Sequence, residues 1–349
     1  MNTLLFDMTG GPDPDGIRQA GSIIRQGGLV AFPTETVYGL GGDALRADAS
    51  EKIYAAKGRP SDNPLIVHIA DMAHLPAIVS DIPDSARILA EHFWPGPLTM
   101  ILHKSDRVPK ATTGGLETVA VRMPNHPVAL ALIRSGGGYI AAPSANASGR
   151  PSPTRADHVM EDLNGRIDAV IDGGSVAIGL ESTIVDLTED HPVILRPGFI
   201  SREMLEQALG TNVGIDPGIA GISADARPKA PGMKYRHYAP KADLAVVEGD
   251  REKVIALIRE KTVSNLQAGI KTGIITCLED AADYTGGVVR TLGSLRDEQQ
   301  IAAGLFAVLR EFDQLDVAQI YSEAFDTPQL GQAIMNRLLK AAGGKVIHV

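Results

Sequence analysis

The chain has 349 residues, 44% hydrophobic and 21% charged, which is enough to bury two cores and excludes a disorder-dominated or fibrous protein. Its 33 basic and 42 acidic residues leave a net charge of -9, which argues against wrapping nucleic acid by bulk electrostatics while leaving a local basic patch open. The single cysteine, Cys277, excludes an intramolecular disulfide and reads as a small core residue in a reducing compartment. No basic N-region leads into a long apolar run and no stretch reaches bilayer length, so a cytoplasmic protein is expected.

In chain order, Ile17, Ala20, Ile23 and Ile24 share one helical face, and Gly27-Gly28 ends that helix before a buried strand at 29–32. The strand runs into Pro33-Thr-Glu-Thr-Val-Tyr-Gly-Leu40, where hydroxyls, a carboxylate and a phenol leave together. This is either a satisfied polar turn or one wall of a site, because ligands collect where strand ends of an open α/β sheet meet loops. Asp48-Ala-Ser-Glu51 has capping-box spacing, and Ile53, Tyr54 and Lys57 follow at helical spacing until Gly58.

Lys57 and Arg59 therefore sit at a helix C-terminus, where they either relieve the dipole from a wet surface or, stiffened by Pro60 and Pro64, form a rigid anion site at the entrance of strand 65–69. In the second case replacing either cation should cost activity and leave the fold intact. His68 alternates with Ile66 and Ala70, a pattern commoner for a hydrogen-bonded core histidine than for a ligand. Trp94, between a helix at 83–93 and a strand at 98–102, reads as corner packing. In strand 118–122 Thr118, Ala120 and Arg122 share a face, and a buried Arg122 needs an anionic partner.

A helix at 127–134 leads to the strand Tyr139-Ile-Ala-Ala142, whose end offers Ser144, Asn146 and Ser148 as a plain turn or a close-approach surface. A helix at 154–163, a strand at 168–171, a hairpin of 181–187 with 193–196, and a helix at 201–209 complete this portion. Residues 210–241 hold nine Gly or Pro, marking a linker whose last part, 227–241, carries five Lys or Arg and no acid. From 242 onward, strands near 244, 273, 288, 318 and 345 alternate with helices at 251–262, 298–312 and 329–341. This is the rhythm of a small Rossmann-like domain, with no G-x-G-x-x-G and no concentrated polar constellation.

There is no P-loop, no H-E-x-x-H and no pair of C-x-x-C motifs, so neither a P-loop enzyme nor a zinc protein fits, and no metal ligands are assigned. What remains is Thr36, Lys57, Arg59, His68, Arg122, Ser144, Asn146, Ser182 and Arg196, four cations among small hydroxyls. That set suits a polyanion bound together with a small polar molecule.

The K-x-R of Lys57 and Arg59, the S-x-N of Ser144 and Asn146, PTETVYGLG at 33–41 and PGMKYRHYAP at 231–240 together resemble the threonylcarbamoyl-AMP synthase family, YrdC-like, in its long two-domain form. The motifs cover residues 15–241; beyond them the resemblance rests on position and length. It implies a YrdC-like twisted open mixed α/β sheet at 1–210, a linker at 211–241 closing over the active site, and a Rossmann-like domain at 242–349. It also implies the reaction of L-threonine, bicarbonate and ATP to L-threonylcarbamoyladenylate and pyrophosphate, with Mg²⁺ accompanying ATP and other proteins of tRNA threonylcarbamoylation as partners.

By the same resemblance, Thr36, His68, Arg122, the backbone at Ala142 and Ser182 would hold threonine. Lys57 and Arg59 would be catalytic, and ATP would meet Lys57, Arg59, Asn63, Thr118, Ser144, Asn146, Ser152, Arg196, His237 and Tyr238. The alternative is a double-stranded RNA or tRNA binding module, suggested by the family's concave basic surface and the basic linker and weakened by the net charge. Carbamoyl transfer, as in related hydrogenase-maturation proteins, lacks the cysteine-rich zinc segment those carry.

Overall fold

The computed structural model describes residues 2–219 and 237–349, and no helix among them is long and apolar enough to cross a membrane. The chain divides into two compact units, one of residues 1–148, 152–177 and 181–234, the other of 149–151, 178–180 and 235–349.

The first unit contains β1 (Leu4–Asp7), α1 (Pro14–Arg25), β2 (Val30–Phe32), β3 (Gly39–Asp43), α2 (Ala47–Lys57), β4 (Ile66–His68), α3 (Asp84–Phe93), β5 (Leu98–His103) and β6 (Thr118–Arg122). These are followed by α4 (Pro127–Ser135), β7 (Ile140–Ala142), α5 (Ala156–Leu163), β8 (Ala169–Asp172), β9 (Thr183–Asp186), β10 (Val193–Arg196), α6 (Arg202–Leu209) and β11 (Gly214–Ile215). The strands form one mixed sheet in the order β1-β8-β2-β3-β7-β4-β6-β5-β9-β10-β11.

Alternation along the strands gives the sheet two different faces. Leu29, Ala31, Val67, Val121, Ala141 and Val185 point into a large core filled by Ile53 of α2, Leu89 of α3, Val159 of α5 and Leu205 of α6. On the opposite face, Val30, Phe32, Ile140, Ala142 and Ala169 pack against Ile17 and Ile24 of α1 and Leu132 and Ile133 of α4. Farther along that face, Ile66, Ile101, Ala120, Ile184 and Leu195 form a small cluster drawn from strands alone. That half of the sheet carries the candidate site.

Two sequence expectations change. Asp48-Ala-Ser-Glu51 is not a capping box: α2 begins at Ala47 with Arg46 as N-cap and no side-chain cap, because Asp48 is held by Arg46 through a two-point pair at 3.0 and 2.8 Å. Gly39 and Leu40, the end of the stretch 33–40 read as a polar turn or one wall of a site, begin β3. Strand propensity did not reveal it because a Cβ at Gly41 would stand 2.8 Å from Ile140 and 2.9 Å from Phe32.

The second unit contains β12 (Asp243–Glu248), α7 (Arg251–Gln267), β13 (Thr272–Thr276), β14 (Val288–Thr291), α8 (Glu298–Gln314), β15 (Gln319–Glu323), α9 (Gly331–Ala341) and β16 (Val346–His348). All pairings in its five-stranded sheet, β14-β13-β15-β12-β16, are parallel, as the alternating rhythm requires. The expected apolar face of α8, with Ile301, Leu305, Val308, Leu309 and Phe312, is buried.

Contrary to expectation, this unit does hold a polar cluster. Cys277, Asp280 and Glu323 converge within 4.8 Å, but their groups serve one another and their neighbours. Glu323 accepts from the Cys277 amide at 3.1 Å and the Tyr284 hydroxyl at 2.5 Å, and Asp280 pairs with Arg251. Cys277 is buried, and that burial pushes its thiol up to about 12, which disfavours the thiolate and agrees with its reading as a small core residue.

The turn after β10 is held by a close backbone approach: a Cβ at Gly198 would lie 2.4 Å from the Thr183 amide nitrogen and 2.8 Å from the Glu181 carbonyl oxygen. Backbone atoms cannot yield as a side-chain tip does. Gly198→Ala should therefore destabilise the first unit by roughly 1–3 kcal/mol, the usual cost of overpacking. Thermal unfolding followed by circular dichroism checks this, and an unchanged midpoint contradicts it.

Candidate active site

Register across the central strands assembles the site. His68 pairs with Arg122 between β4 and β6, Arg122 with Thr99 between β6 and β5, and Thr99 with Ile184 between β5 and β9. His68 is two residues from Ile66, Arg122 two from Ala120, Thr99 two from Ile101 and Ser182 two from Ile184. All four therefore share the face of the strand-only cluster.

Arg122 is 4% exposed, with two of its guanidinium nitrogens hydrogen-bonded. Its Nε donates to the Gly96 carbonyl at 3.3 Å, its Nη1 to the Thr36 hydroxyl at 2.8 Å, and its Nη2 lies 2.7 Å from Glu35 Oε1. The buried anionic partner required by the sequence is thus Glu35. Alongside, Arg196 donates from Nε to the Ser182 carbonyl at 3.0 Å and from Nη2 to the Ser182 hydroxyl at 3.1 Å. That hydroxyl also bonds Thr99 at 2.7 Å. Ser152 bonds the Glu181 carboxylate next door at 2.5 Å. Thr36, His68, Arg122 and Ser182 are brought together, and Arg196 and Ser152, assigned to ATP, stand beside Ser182.

The second array lies where β4 begins. Ala142 pairs with Ile66, so Ser144 lies toward Pro64; Ala120 also pairs with Ile66, so Thr118 lies toward the same end. Lys57, the last residue of α2, is 3% exposed. Its ammonium donates to the Ser144 carbonyl at 2.6 Å and to the Asn146 carbonyl, while the Ser144 hydroxyl bonds the Asn146 side chain at 2.6 Å. Arg59 is half-buried and donates to the carbonyls of Asn63 at 3.3 Å and Pro64 at 3.2 Å. Gly58 makes this possible by ending α2 in the left-handed region at φ 63°, which turns the chain between the two cations.

The wet-surface reading of Lys57 fails on its burial. At 3.3 Å per strand residue, the two arrays are separated by about 7–13 Å along the face. In the second unit, the Tyr238 ring stands 5.0 Å from Phe306 and 5.6 Å from His237. Of the basic segment 227–241, residues 227–236 lie outside the described residues.

Sequence reasoning missed Glu35, Thr99 and Glu181 as site residues. A signal existed for Glu35: a carboxylate between two threonines directly after a fully buried strand. Thr99 and Glu181 gave none, because only strand pairing brings them to Ser182.

His68 is buried, its Nδ1–H donating to the Ile66 carbonyl at 3.1 Å; burial first and the Arg122 charge second hold its pKa down to about 3. It enters any chemistry here as a neutral imidazole. Because the unfolded chain takes up that proton near the ordinary 6.5, the stability that His68 contributes is complete above pH 6.5 and is lost as pH falls toward 3. His68→Gln should flatten the acid side of a plot of melting temperature against pH between 7 and 4; an unchanged slope contradicts the assignment.

Lys57→Met should cost roughly 1–3 kcal/mol in stability, because two buried carbonyls lose their donor. Chemical unfolding of the variant measures this, and wild-type stability would place Lys57 outside the framework.

Residues 22–198 match the family model described as Telomere recombination, and residues 200–343 match that of the threonylcarbamoyl-AMP synthase C-terminal domain. The chain is 50% identical to the threonylcarbamoyl-AMP synthase of Bacillus subtilis, over 96% of this chain and 95% of that protein. It is 51% identical to that of Pyrococcus abyssi, over 95% of this chain and 96% of that protein. The crystal structure of P. abyssi Sua5 complexed with L-threonine matches with a TM-score of 0.94 at 49% identity, covering 99% of this chain and 100% of the other. With two matched domains in sequence and relatives aligned nearly end to end, the chain belongs to the threonylcarbamoyl-AMP synthase family.

Proposed function

We infer that the chain converts L-threonine, bicarbonate and ATP to L-threonylcarbamoyladenylate, pyrophosphate and water, the first step of threonylcarbamoyladenosine formation in tRNA. The observation that carries this reading beyond family membership is one sheet face bearing two arrays. The cationic Lys57 and Arg59 end, with Ser144, Asn146, Asn63 and Thr118, suits a triphosphate. The Arg122, Thr36, His68 and Ser182 end suits a small hydroxylated amino acid, with the Ala142 backbone between them.

Attack of the carbamate oxygen on the α-phosphorus concentrates negative charge, so the residues need to align and neutralise and no covalent nucleophile is called for. Arg122 would take the threonine carboxylate, and Thr36 and Ser182 its polar edge. Neutral His68 offers a hydrogen-bonding wall without adding charge. Arg59 and Arg196 would face the phosphates. Lys57 acts from beneath, fixing the Ser144–Asn146 turn while contributing its charge.

Mg²⁺ would enter with ATP and neutralise phosphate charge. The Oδ1 atoms of Asp62 and Asn63, buried without hydrogen bonds beside Arg59, are the hard oxygen donors that fit it, and Mg²⁺ needs few protein ligands because it keeps its waters. The product is a hydrolysis-prone mixed anhydride, so a transferase that delivers the threonylcarbamoyl group to tRNA is the partner this chemistry calls for.

The test is to incubate the full chain with ATP, Mg²⁺ and bicarbonate, with and without L-threonine, and follow threonylcarbamoyladenylate by mass and pyrophosphate release. Threonine-dependent product is expected. Arg59→Ala should lower the rate about a hundredfold, near 3 kcal/mol in barrier, with the fold retained. Absence of threonine-dependent product, or binding of duplex RNA with a steep salt slope in place of catalysis, overturns the reading.

A further inference from the structure

Glu35 is 8% exposed, and neither carboxylate oxygen has a hydrogen bond. Its partner Arg122 approaches to 2.7 Å, yet the two groups are not aligned for hydrogen bonding, and Arg122 Nη2 is likewise without one. His126, whose Nδ1 is also buried without a hydrogen bond, feels the charge of this carboxylate. Burial holds the His126 ring below its ordinary pKa. A buried ion pair repays its desolvation only when its geometry is good and its remaining atoms are bonded. This pair meets neither condition, although Arg122 bonds Thr36 and Gly96 well. The misalignment therefore does not come from a poorly held guanidinium; it leaves the carboxylate with capacity for a donor absent from the protein.

The chemistry of the site says which donor is absent. Arg122, Arg196, Lys57 and Arg59 supply cations, and Thr36, Ser182 and Thr99 supply neutral hydroxyls. An amino acid arrives with an ammonium as well as a carboxylate, and the ammonium needs a buried anion. Glu181 already accepts from Ser152. Glu35, adjacent in sequence to Thr36 and in contact with Arg122, is the carboxylate whose two oxygens are unbonded.

We propose that Glu35 is the counter-ion for the α-ammonium of the amino-acid substrate. Glu35 and Arg122 then form a dyad that reads the zwitterion as a unit, the guanidinium taking the carboxylate and the carboxylate taking the ammonium. The total charge of the buried cluster is the same before and after binding, so the pair screens itself in the empty site and separates onto the ligand when it arrives. Acids of the same shape without an amine leave Glu35 unmatched beside a second carboxylate and are rejected. The proposal rests on the reading that this end of the face takes threonine.

The experiment compares L-threonine with (R)-3-hydroxybutanoate, which has the same carboxylate, hydroxyl and methyl but no amine, by calorimetric titration of the full-length wild type, Glu35→Gln and Glu35→Asp. Wild type should favour threonine by at least about tenfold. Glu35→Gln should lose at least about tenfold on threonine while binding the amine-free acid as well as wild type or better, and Glu35→Asp should recover part of the preference. Unchanged ATP affinity in each variant reports an intact fold, and Glu35→Asp carries the test if the glutamine variant does not fold. Wild-type threonine binding in Glu35→Gln overturns the proposal. Equal losses on both acids also overturn it, since Glu35 would then only hold Arg122 in place. If wild type binds ATP but not threonine, the amino-acid reading of the face itself fails, and this result differs from every outcome in which wild type binds threonine.

Discussion

The first unit is arranged around the buried guanidinium of Arg122. A permanent charge at the end of an interior strand must be met from several directions, and here the chain supplies a carbonyl from the turn before β5, a hydroxyl and a carboxylate from the segment after β2, and a neutral histidine on the adjoining strand. Remote parts of the sequence are thereby tied to one atom group. Burial first, and the neighbouring Arg122 charge second, keep His68 neutral beside it.

Among the described residues the two faces of the sheet are covered unequally. Helices α1 and α4 lie over the β2, β3 and β7 portion of one face, and four helices fill the other face. Over β4, β6, β5, β9 and β10 the apolar cluster contains strand residues only, and the polar side chains two residues away along each strand share that face. Antiparallel steps in the middle of the sheet give the site its two ends. They set the end of β7 beside the start of β4, with Lys57 beneath, while Arg122 and His68 lie at the far end. A wholly parallel sheet would place all strand exits on one edge. Here the mixed order distributes cations along a face.

Burial changes what the cations do. Lys57 appears in sequence as one half of an exposed-looking pair with Arg59, but it is an internal framework residue that orders the Ser144–Asn146 turn, while Arg59 is only half-buried. Two cations two residues apart therefore differ in consequence: loss of the first removes a buried donor, and loss of the second removes a half-buried charge beside Asn63 and Pro64.

The sequence by itself determined most of the element order, the division into a mixed α/β portion and a parallel Rossmann-like portion, and the family, because periodicity, glycine stops and compact motifs are local properties of the chain. It also indicated the polar loops and the need of Arg122 for an anion, since burial of a charge follows from the strand pattern around it. It did not reveal β3, whose glycines carry little strand propensity and are required by packing against Phe32 and Ile140. It misread Asp48, because the bidentate reach of Arg46 competes with the cap. Only the tertiary structure decided that Glu35 is the partner of Arg122, that Thr99 and Arg196 converge on Ser182, and that Lys57 is interior. Those facts depend on strand register and on which part of the sheet the described helices cover, and both are set by contacts between residues far apart in the chain.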